Sequence, residues 1–269
     1  MTLVVCATPI GNLEDVTLRV LRELSEAELV LCEDTRRTRT LLTRHGIEAR
    51  LVSYHRHNEA KRIAELLPRL EAGARIALAS DAGLPSVNDP GARFIAAAIE
   101  RGVEVTVLPG PSAVETALVA SGLVGERYSF VGYLPRAREA LVRLWEETAA
   151  WGWPVVAFES PQRLPASLRS LAAADPSRPV AVCRELTKRF EEVVRGPASE
   201  LANRFAEPPR GEVTLVLGPS ATTGEGGEED EAVAAVRELV AAGVPRRRAA
   251  DLVSRLTGSA RNRLYRASL

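Results

Sequence analysis

The first 120 residues alternate between short apolar runs and amphipathic segments, and this alternation constrains the fold most. The apolar runs are typical of strands buried on both faces: Leu3–Ala7, Leu29–Cys32, Arg50–Ser53, Arg75–Ser80 and Val103–Leu108. Each is followed by a segment with apolar residues at helical spacing: Val16–Leu24, Arg36–Arg44, Glu59–Leu70, Ala92–Arg101 and Ser112–Ala120. This order predicts parallel βαβ units with helices on the faces of one sheet.

The pattern changes after a loop-like segment around Gly122. Strands are predicted at Tyr128–Tyr133, Val155–Phe158, Val180–Arg184, Phe190–Arg195 and Glu212–Leu217, and helices at Glu139–Ala150, Leu164–Ala173 and Ser199–Phe205. The third and fourth of these strands are joined by a short connection, which predicts a hairpin and therefore a mixed sheet. We expect an α/β protein with a parallel-sheet N-terminal domain (1–122), a second, mixed-sheet domain (123–218), an acidic flexible linker (219–231) and a basic helical domain (232–269).

The formal net charge is zero, which by itself argues against a uniformly basic nucleic-acid coat. The zero is a cancellation, because residues 232–269 contain eight arginines and two acids, residues 219–231 contain five acids, and the remainder is −1. Two of the 35 basic residues are lysines, which leaves 33 arginines. Compositional bias is the simpler explanation, and phosphate recognition by the guanidinium fork is the functional one.

The cysteines and the hydropathy pattern bear on location. Cys6, Cys32 and Cys183 each adjoin an apolar run, and we interpret them as buried thiols in a reducing compartment. No run approaches the roughly 18 apolar residues that a membrane helix needs, and the first residues do not resemble a signal peptide. We expect a cytoplasmic protein with no membrane partner.

Polar loops follow all five strands of the predicted parallel sheet, and ligands of such sheets bind beyond the carboxyl ends of the strands. No G-x-G-x-x-G motif follows the first strand, and no G-x-x-x-x-G-K-[ST] motif occurs, which weighs against a conventional dinucleotide site and a P-loop. Glu33 and Asp34 are either an acid–base pair or, more simply, a helix cap. His55 and His57 have the spacing of metal ligands on a strand, but no matching ligand cluster exists, and a substrate-facing loop is favoured.

Nine segments, in order, resemble one family: TPIGNLEDVTLR (8–19), CEDTRRT (32–38), SYHRHNE (53–59), SDAGLPSVNDPG (80–91), PGPSA (109–113), FVGYLPR (130–136), FESPQR (158–163), CRELTKRFEE (183–192) and RGEVTLVLG (210–218). This family is the small-subunit ribosomal RNA (cytidine-2′-O-)-methyltransferases I, within the tetrapyrrole methylase superfamily. The basic C-terminal segment resembles the helix-turn-helix domain of that family. The resemblance covers nearly the whole chain.

The resemblance implies a fold, a cofactor and partners. The fold would be two α/β domains with S-adenosylmethionine between them, plus a small C-terminal helical domain. The protein would be a homodimer that methylates the ribose 2′-hydroxyl of a cytidine in the decoding region of 16S rRNA, either in free rRNA or in the small subunit. No metal is implied. Main-chain amides of the Gly- and Pro-rich loops, and the helix start at Ser112, suit the polar ends of the cofactor.

The matching motifs also imply site residues. Cofactor contacts are expected from Pro9, Asp81, Ala82, Gly83, Leu84, Val87, Ser112, Ala113, Tyr133, Pro209 and Gly211. Candidates for the base that takes the hydroxyl proton are Glu159, Asp34, Glu185 and Asp89. Contacts to rRNA phosphates are expected from Arg36, Arg163, Arg184, Arg246, Arg247, Arg248, Arg261 and Arg263. Leu84, Val87 and Ala113 have packing as their simpler role.

Two other functions fit parts of the sequence. A corrin-precursor methylase or a diphthine synthase would share the architecture, but neither normally needs a basic helical tail. A non-enzymatic nucleic-acid binder with a vestigial methylase body would use the tail alone, but such a protein would be free to lose its cofactor loops. Stabilisation by added S-adenosylmethionine distinguishes the binder from the enzyme.

Overall fold

The computed structural model describes residues 2–86, 89–220 and 225–268, with no side chains described for 225–231. By internal contacts the chain forms two compact units. The first comprises Met1–Ala120, Cys183–Val193 and Gly211–Thr214, and the second comprises Ser121–Val182, Val194–Arg210 and Leu215–Leu269. The first unit therefore includes two short segments from late in the sequence. The boundaries expected at residues 122, 218 and 231 stay a prediction.

The first unit contains a five-stranded sheet in the order β3-β2-β4-β1-β5. Its strands are β1 (Thr2–Cys6), β2 (Leu29–Cys32), β3 (Leu51–Ser53), β4 (Arg75–Ala79) and β5 (Glu104–Leu108). All four neighbouring pairs are parallel, which confirms the prediction. The intervening helices are α1 (Leu18–Glu26), α2 (Thr35–Arg44), α3 (Glu59–Glu71), α4 (Ala92–Glu100) and α5 (Ala113–Ser121).

The strands of this sheet are mostly uninterrupted runs of apolar residues because both faces of the sheet are covered. Leu3 and Val5 of β1 belong to one buried cluster, which also contains Phe94 of α4. Val4 and Cys6 alternate with them and belong to a second cluster, which also contains Val20 of α1. Successive strand residues point to opposite faces, so the βαβ order fixes both layers of the core.

The second sheet has the order β6-β7-β10-β8-β9. Its strands are β6 (Ser129–Tyr133), β7 (Val155–Glu159), β8 (Pro179–Arg184), β9 (Glu192–Pro197) and β10 (Val213–Leu217), with helices α6 (Arg138–Ala149), α7 (Leu164–Ala174) and α8 (Ala198–Arg204). The neighbours β8 and β9 are joined by only seven residues, too few for a parallel crossover, so the sheet is mixed as predicted. The strand β9 begins two residues later than predicted because residues 190 and 191 still belong to the turn.

Three helices close the chain: α9 (Glu225–Ala241), α10 (Arg246–Thr257) and α11 (Arg261–Ala267). Val236, Ala249, Val253 and Leu264 form their common core. Gly258 ends α10 in the left-handed conformation, which is a common way for a helix to end. The helix α9 starts within the segment that we expected to be an acidic linker. Acidic residues are favourable in the first turn of a helix because their negative charge interacts with the positive end of the helix dipole.

Candidate active site

The loops after β1 and β4 are joined at the carboxyl edge of the first sheet. Thr8 and Gly83 exchange two main-chain hydrogen bonds of 2.8 and 3.0 Å. The Thr8 hydroxyl also donates to the carbonyl of Ser80, at 3.0 Å. Gly83 has φ +74°, a conformation that favours glycine. These contacts fix the two loops that the sequence assigned to cofactor binding.

A pocket of about 290 Å³ opens beside these loops, within the first unit. Three residues predicted to contact the cofactor, Pro9, Asp81 and Ala82, line it. The pocket also has lining residues that the sequence reasoning missed, including Gly11, Arg37, Lys188 and Glu212. One feature of the sequence could have identified Lys188 as a candidate, because it is one of only two lysines in an arginine-rich chain.

Asp34 has the simpler of its two predicted roles, that of a helix cap. Its carboxylate accepts the main-chain N–H of Arg36 at 2.9 Å and two bonds from the Arg36 guanidinium at 3.0 and 2.7 Å. Hydrogen bonding to Arg36 lowers the pKa of Asp34 to about 2. The main-chain N–H of Asp34 donates in turn to Asp81, at 2.8 Å, so the cap also orients a carboxylate of the pocket. A base with so low a pKa is poorly matched to proton abstraction near neutral pH.

Asp89 has the opposite electrostatic environment. Burial raises its pKa to about 6, the negative charges of Glu33 and Asp81 add to the effect, and Arg56 opposes it. A carboxylate with a pKa near the working pH has the property that general base catalysis requires.

The two histidines of the loop after β3 contact each other, with ring centroids 6.0 Å apart. The Asn58 side chain accepts the main-chain N–H of His55 at 2.8 Å and donates to the carbonyl of Ser53 at 3.1 Å. Nδ1 of His55 is buried without a hydrogen-bond partner among the described residues. The same part of the chain has no group of three or more His, Cys, Asp or Glu side chains placed to hold a metal ion.

The other cofactor candidates of the first unit divide into packing and polar positions. Leu84 packs against the buried cluster that contains Leu3, which is the simpler role foreseen for it. Ser112 precedes α5, Ala113 begins that helix, and the Ser112 hydroxyl donates to Glu115 within its first turn. Val87 lies outside the described residues.

In the loop between β8 and β9, the Lys188 side chain holds the Glu185 carboxylate in place. The Lys188 ammonium donates to Glu185 at 2.9 Å and to Glu212 at 3.0 Å. Burial favours the neutral form of Glu185, but the bonds from Lys188 and from the main-chain N–H of Glu212 outweigh it and lower the pKa of Glu185. Gly211 has φ +94°, and a Cβ at this residue would collide with the Glu185 side chain. Gly211 therefore leaves the space that Glu185 occupies.

The candidates in the second unit have strong internal partners. The buried Glu159 carboxylate accepts the main-chain N–H of Ser160 at 2.7 Å and a hydroxyl bond from Ser167. The guanidinium of Arg163 lies 3.4 Å from Glu159 and donates to two main-chain carbonyls. These bonds fix the start of α7. The predicted roles of Glu159 as a base and of Arg163 as a phosphate contact stay predictions.

Two cofactor candidates of the second unit lie near strand ends. Tyr133 ends β6, is 62% exposed, and has its ring centroid 5.5 Å from that of Phe158. Pro209 is half-buried within an otherwise exposed segment before β10. Both are proposals for cofactor contact.

The arginines predicted to contact RNA differ in their availability. Arg184 is paired with Glu192 at 3.0 Å, and Arg246 donates to the carbonyl of Ser268 at 2.8 Å. Arg36 keeps a largely exposed side chain despite its bonds to Asp34. Among the predicted RNA contacts of the last two helices, the exposed ones are Arg247, Arg248, Arg261 and Arg263.

Comparison with known proteins separates the alternative functions. The family model described as Tetrapyrrole (Corrin/Porphyrin) Methylases matches residues 2–202. A ribosomal RNA small subunit methyltransferase I from Mesorhizobium japonicum is 42% identical over 269 residues, covering 98% of this chain and 90% of the relative. The chain belongs to the ribosomal RNA small subunit methyltransferase I family, within the tetrapyrrole methylases. This confirms the resemblance seen in the nine motifs, and membership makes the chain a ribosomal RNA methyltransferase rather than a non-enzymatic binder.

A second relative in this family is shorter. The ribosomal RNA small subunit methyltransferase I of Thermotoga maritima is 42% identical over 216 residues, covering 80% of this chain and 97% of the relative. About a fifth of this chain therefore has no counterpart in a relative of the same name.

Solved structures confirm the predicted fold of the family. Uroporphyrin-III C-methyltransferase from Thermus thermophilus, crystallised with S-adenosylhomocysteine, matches with a TM-score of 0.56 and 21% identity, covering 81% of this chain and 96% of that one. Within the described residues, no helix has both the length and the apolar character that a membrane crossing requires.

Proposed function

We propose that this methyltransferase acts on the ribose 2′-hydroxyl of a cytidine in the decoding region of 16S rRNA, with S-adenosylmethionine as the methyl donor. The observation that carries the proposal is the 42% identity to a ribosomal RNA small subunit methyltransferase I over 98% of the chain. The specific nucleotide and the 2′-oxygen rest on the resemblance of the loop motifs. The homodimer and the cytoplasmic location belong to the same proposal.

S-adenosylmethionine is the expected cofactor, and the family assignment bears out this expectation. The negative charges of the first unit suit this cationic cofactor. Glu33, Asp81 and Asp89 place negative charges close enough to influence one another, and a cationic sulfonium would relieve that repulsion. The Ser86 hydroxyl is buried without a hydrogen-bond partner among the described residues, so this loop has an unused polar group. When bound, the cofactor supplies an electrophilic methyl group.

We propose that Pro9, Asp81, Ala82 and Gly83 hold this cofactor in the first unit. Their loops are fixed by main-chain bonds before any ligand arrives, and preorganisation lowers the entropic cost of binding. Ser112 and Ala113 add a helix start, which favours negatively charged groups such as a carboxylate. Leu84, Val87, Tyr133, Pro209 and Gly211 complete the proposed set.

The chain must also accept the proton that the 2′-hydroxyl loses. Among the four candidate carboxylates, we favour Asp89, because its pKa of about 6 is nearest to the working pH. Asp34 is committed to Arg36, Glu185 to Lys188, and Glu159 to Ser160 and Ser167. The Asp89 carboxylate would accept the proton of the hydroxyl during transfer, in which the methyl group would exchange its bond to the cofactor sulfur for a bond to the 2′-oxygen.

We propose that the C-terminal helices bind rRNA through phosphate contacts. Their exposed arginines are carried by a compact helical core, and phosphate contacts give affinity that falls with salt. RNA helices hide base edges in a deep, narrow groove, so shape and phosphates are the expected targets. Deleting residues 232–269 is expected to weaken binding to small subunits and to flatten the salt dependence, and an unchanged slope would contradict this role.

The decisive experiment is transfer of a labelled methyl group from S-adenosylmethionine to small ribosomal subunits that lack the modification. The modified nucleotide is then mapped by nuclease digestion and mass spectrometry. A methyl group on the ribose of a decoding-region cytidine supports the proposal, whereas a base methylation or another nucleotide contradicts it. Free 16S rRNA tested in parallel decides which form is the substrate.

A variant pair tests the favoured base. Asp89→Asn is expected to slow single-turnover transfer by about 10²-fold or more, while S-adenosylmethionine still raises the melting temperature. Glu159→Gln provides the matched comparison, because its carboxylate is buried and internally bonded. A normal rate for Asp89→Asn would eliminate Asp89 as the base.

A further inference from the structure

The connection between β8 and β9, residues 185–191, has an unusual backbone; we call it the hairpin loop. Glu185 has φ +52° and Thr187 has φ +64°, and a left-handed conformation is uncommon for residues other than glycine. Two turns follow within the same loop, with main-chain bonds from Lys188 to Glu185 at 3.0 Å and from Glu191 to Lys188 at 3.1 Å. Strain of this kind persists only where surrounding contacts enforce it, and it concentrates at functional sites.

The contacts that enforce the hairpin loop come from the loop after β1, which belongs to the same unit. The Thr187 hydroxyl accepts the main-chain N–H of Asn12 at 3.0 Å. A Cβ on Gly11 would lie only 2.5 Å from Cγ of Lys188 and 2.8 Å from the carbonyl oxygen of Leu186. This close approach, together with the ion pairs of Lys188, holds the hairpin loop in one conformation.

The rigid hairpin loop presents an aromatic ring to solvent. The Phe190 side chain is 65% exposed, although phenylalanine is among the residues most often buried. The guanidinium carbon of Arg189 lies 5.5 Å from the centroid of that ring, and Arg189 is exposed as well. Stacked aromatic rings and guanidinium planes are the groups on which proteins hold the unstacked bases of single-stranded RNA.

The position of the hairpin loop connects this ring to the candidate active site. Lys188 lines the pocket of about 290 Å³ that Pro9 and Asp81 also line. The same lysine lines an adjoining depression together with Arg189 and Arg44. A nucleotide placed beside a cofactor held in this pocket would therefore have its neighbour in the strand next to cationic side chains and an exposed ring.

We propose that the hairpin loop grips the single-stranded RNA beside the acceptor nucleotide, with Phe190 stacking on a neighbouring base and Arg189 contacting a phosphate. This inference rests on the proposed function, because it takes the pocket as the cofactor site and places the acceptor nucleotide next to it. Lys188 is a positioning residue here, since its ion pairs hold the loop. The rigidity matters because a preordered platform gives up little entropy when the base binds.

The test measures RNA affinity separately from catalysis in the full chain. The probe is a fluorescein-labelled single-stranded oligoribonucleotide with the decoding-region sequence, followed by anisotropy. Phe190→Ala is expected to raise its Kd about tenfold, the effect of losing one base–aromatic stack. Phe190→Trp restores the platform and is expected to stay within about twofold of the wild type. Ile99→Ala, which removes a side chain that is 60% exposed on another surface of the first unit, is the matched control and leaves the Kd unchanged.

Two further measurements identify the interaction. Arg189→Gln is expected to lower the slope of log K against log salt by about 0.7, the value for one phosphate contact on a single strand. In transfer to small subunits, Phe190→Ala is expected to raise KM with little change in kcat, since stacking acts mainly on binding. S-adenosylmethionine should raise the melting temperature of every variant as in the wild type, which controls for folding.

Several results would contradict the proposed binding of RNA by the hairpin loop. An unchanged Kd for Phe190→Ala, or equal losses for the Ala and Trp variants, rules out stacking on this ring. A change in oligomeric state with RNA affinity intact would make Phe190 part of a protein interface instead. Failure of the proposed function has a different signature: wild-type protein would then bind the oligoribonucleotide but transfer no methyl group to small subunits.

Discussion

Replacing Asp89 by asparagine gives a prediction that links stability to the candidate base. A pKa raised from 3.8 to about 6 corresponds to about 3 kcal/mol, at 1.36 kcal/mol for each pH unit. Asp89 is only partly buried, so screening by solvent reduces this to about 1–2 kcal/mol. This is the cost of keeping the ionised carboxylate in the folded protein at neutral pH.

The sign follows from proton linkage. Because the folded state raises the pKa of Asp89, its contribution to stability is present below pH 4 and is lost as the pH rises through about 6. Asparagine carries no charge at any of these pH values. Asp89→Asn is therefore expected to be about 1–2 kcal/mol more stable than the wild type at pH 8, with an advantage that shrinks as the pH falls.

The assay is urea unfolding of both proteins at pH 4.5, 6 and 8, without cofactor. Asp175→Asn is the matched control with the opposite sign. Burial opposes ionisation of Asp175, but bonds from Ser220 and Ser177 outweigh it and lower the pKa of Asp175, so its loss destabilises the protein at pH 8. Equal or lower stability of Asp89→Asn at pH 8, or a difference independent of pH, would refute the reasoning.

Three further outcomes follow from local geometry. Gly211→Ala is expected to destabilise the protein by about 2 kcal/mol because the new Cβ would collide with Glu185. Gly243→Ala is the control, since Gly243 has a similar φ but open space around it. Equal losses of unfolding free energy in urea would show that φ alone matters. The Cys6 thiol, whose pKa burial raises to about 12, is expected to resist a thiol reagent at pH 8 until the protein unfolds, and rapid labelling of the native protein would contradict this. Arg178→Ala is expected to lower the unfolding free energy by about 3 kcal/mol, because this fully buried guanidinium donates hydrogen bonds to three acceptors. A loss below about 1 kcal/mol would contradict that role.

The sequence predicted the first sheet because its strands are defined by local patterns. Continuous apolar runs such as Leu3–Ala7 cover both faces of a parallel sheet, and helices between them fix the direction of each crossover. The role of Asp34 was also readable, since an aspartate before a helical segment is a typical cap and the structure places its carboxylate on the N–H of Arg36.

Contacts between distant loops were not predictable in this way. Asn12 and Thr187 are 175 residues apart, and no local propensity relates them. The close approach at Gly11 depends on the exact path of the hairpin loop, which begins with Glu185 in a left-handed conformation that its residue type does not suggest. The two-residue delay of β9 has the same origin, because a turn held by tertiary contacts overrides the apolar pattern around Phe190.

The discontinuity of the first unit has a consequence for how the protein is made. Residues 183–193 and 211–214 belong to the same compact unit as residues 1–120, so a nascent chain of 120 residues can form the parallel sheet before it can form the pocket. Lys188 and Glu212 line that pocket together with residues between Thr8 and Ala82. They must approach those residues by closing loops of more than 100 residues. We expect the sheet to fold early during synthesis and the pocket to form last, after residue 214 has left the ribosome. A fragment that ends at residue 122 would therefore contain the strands of the first sheet without a working site.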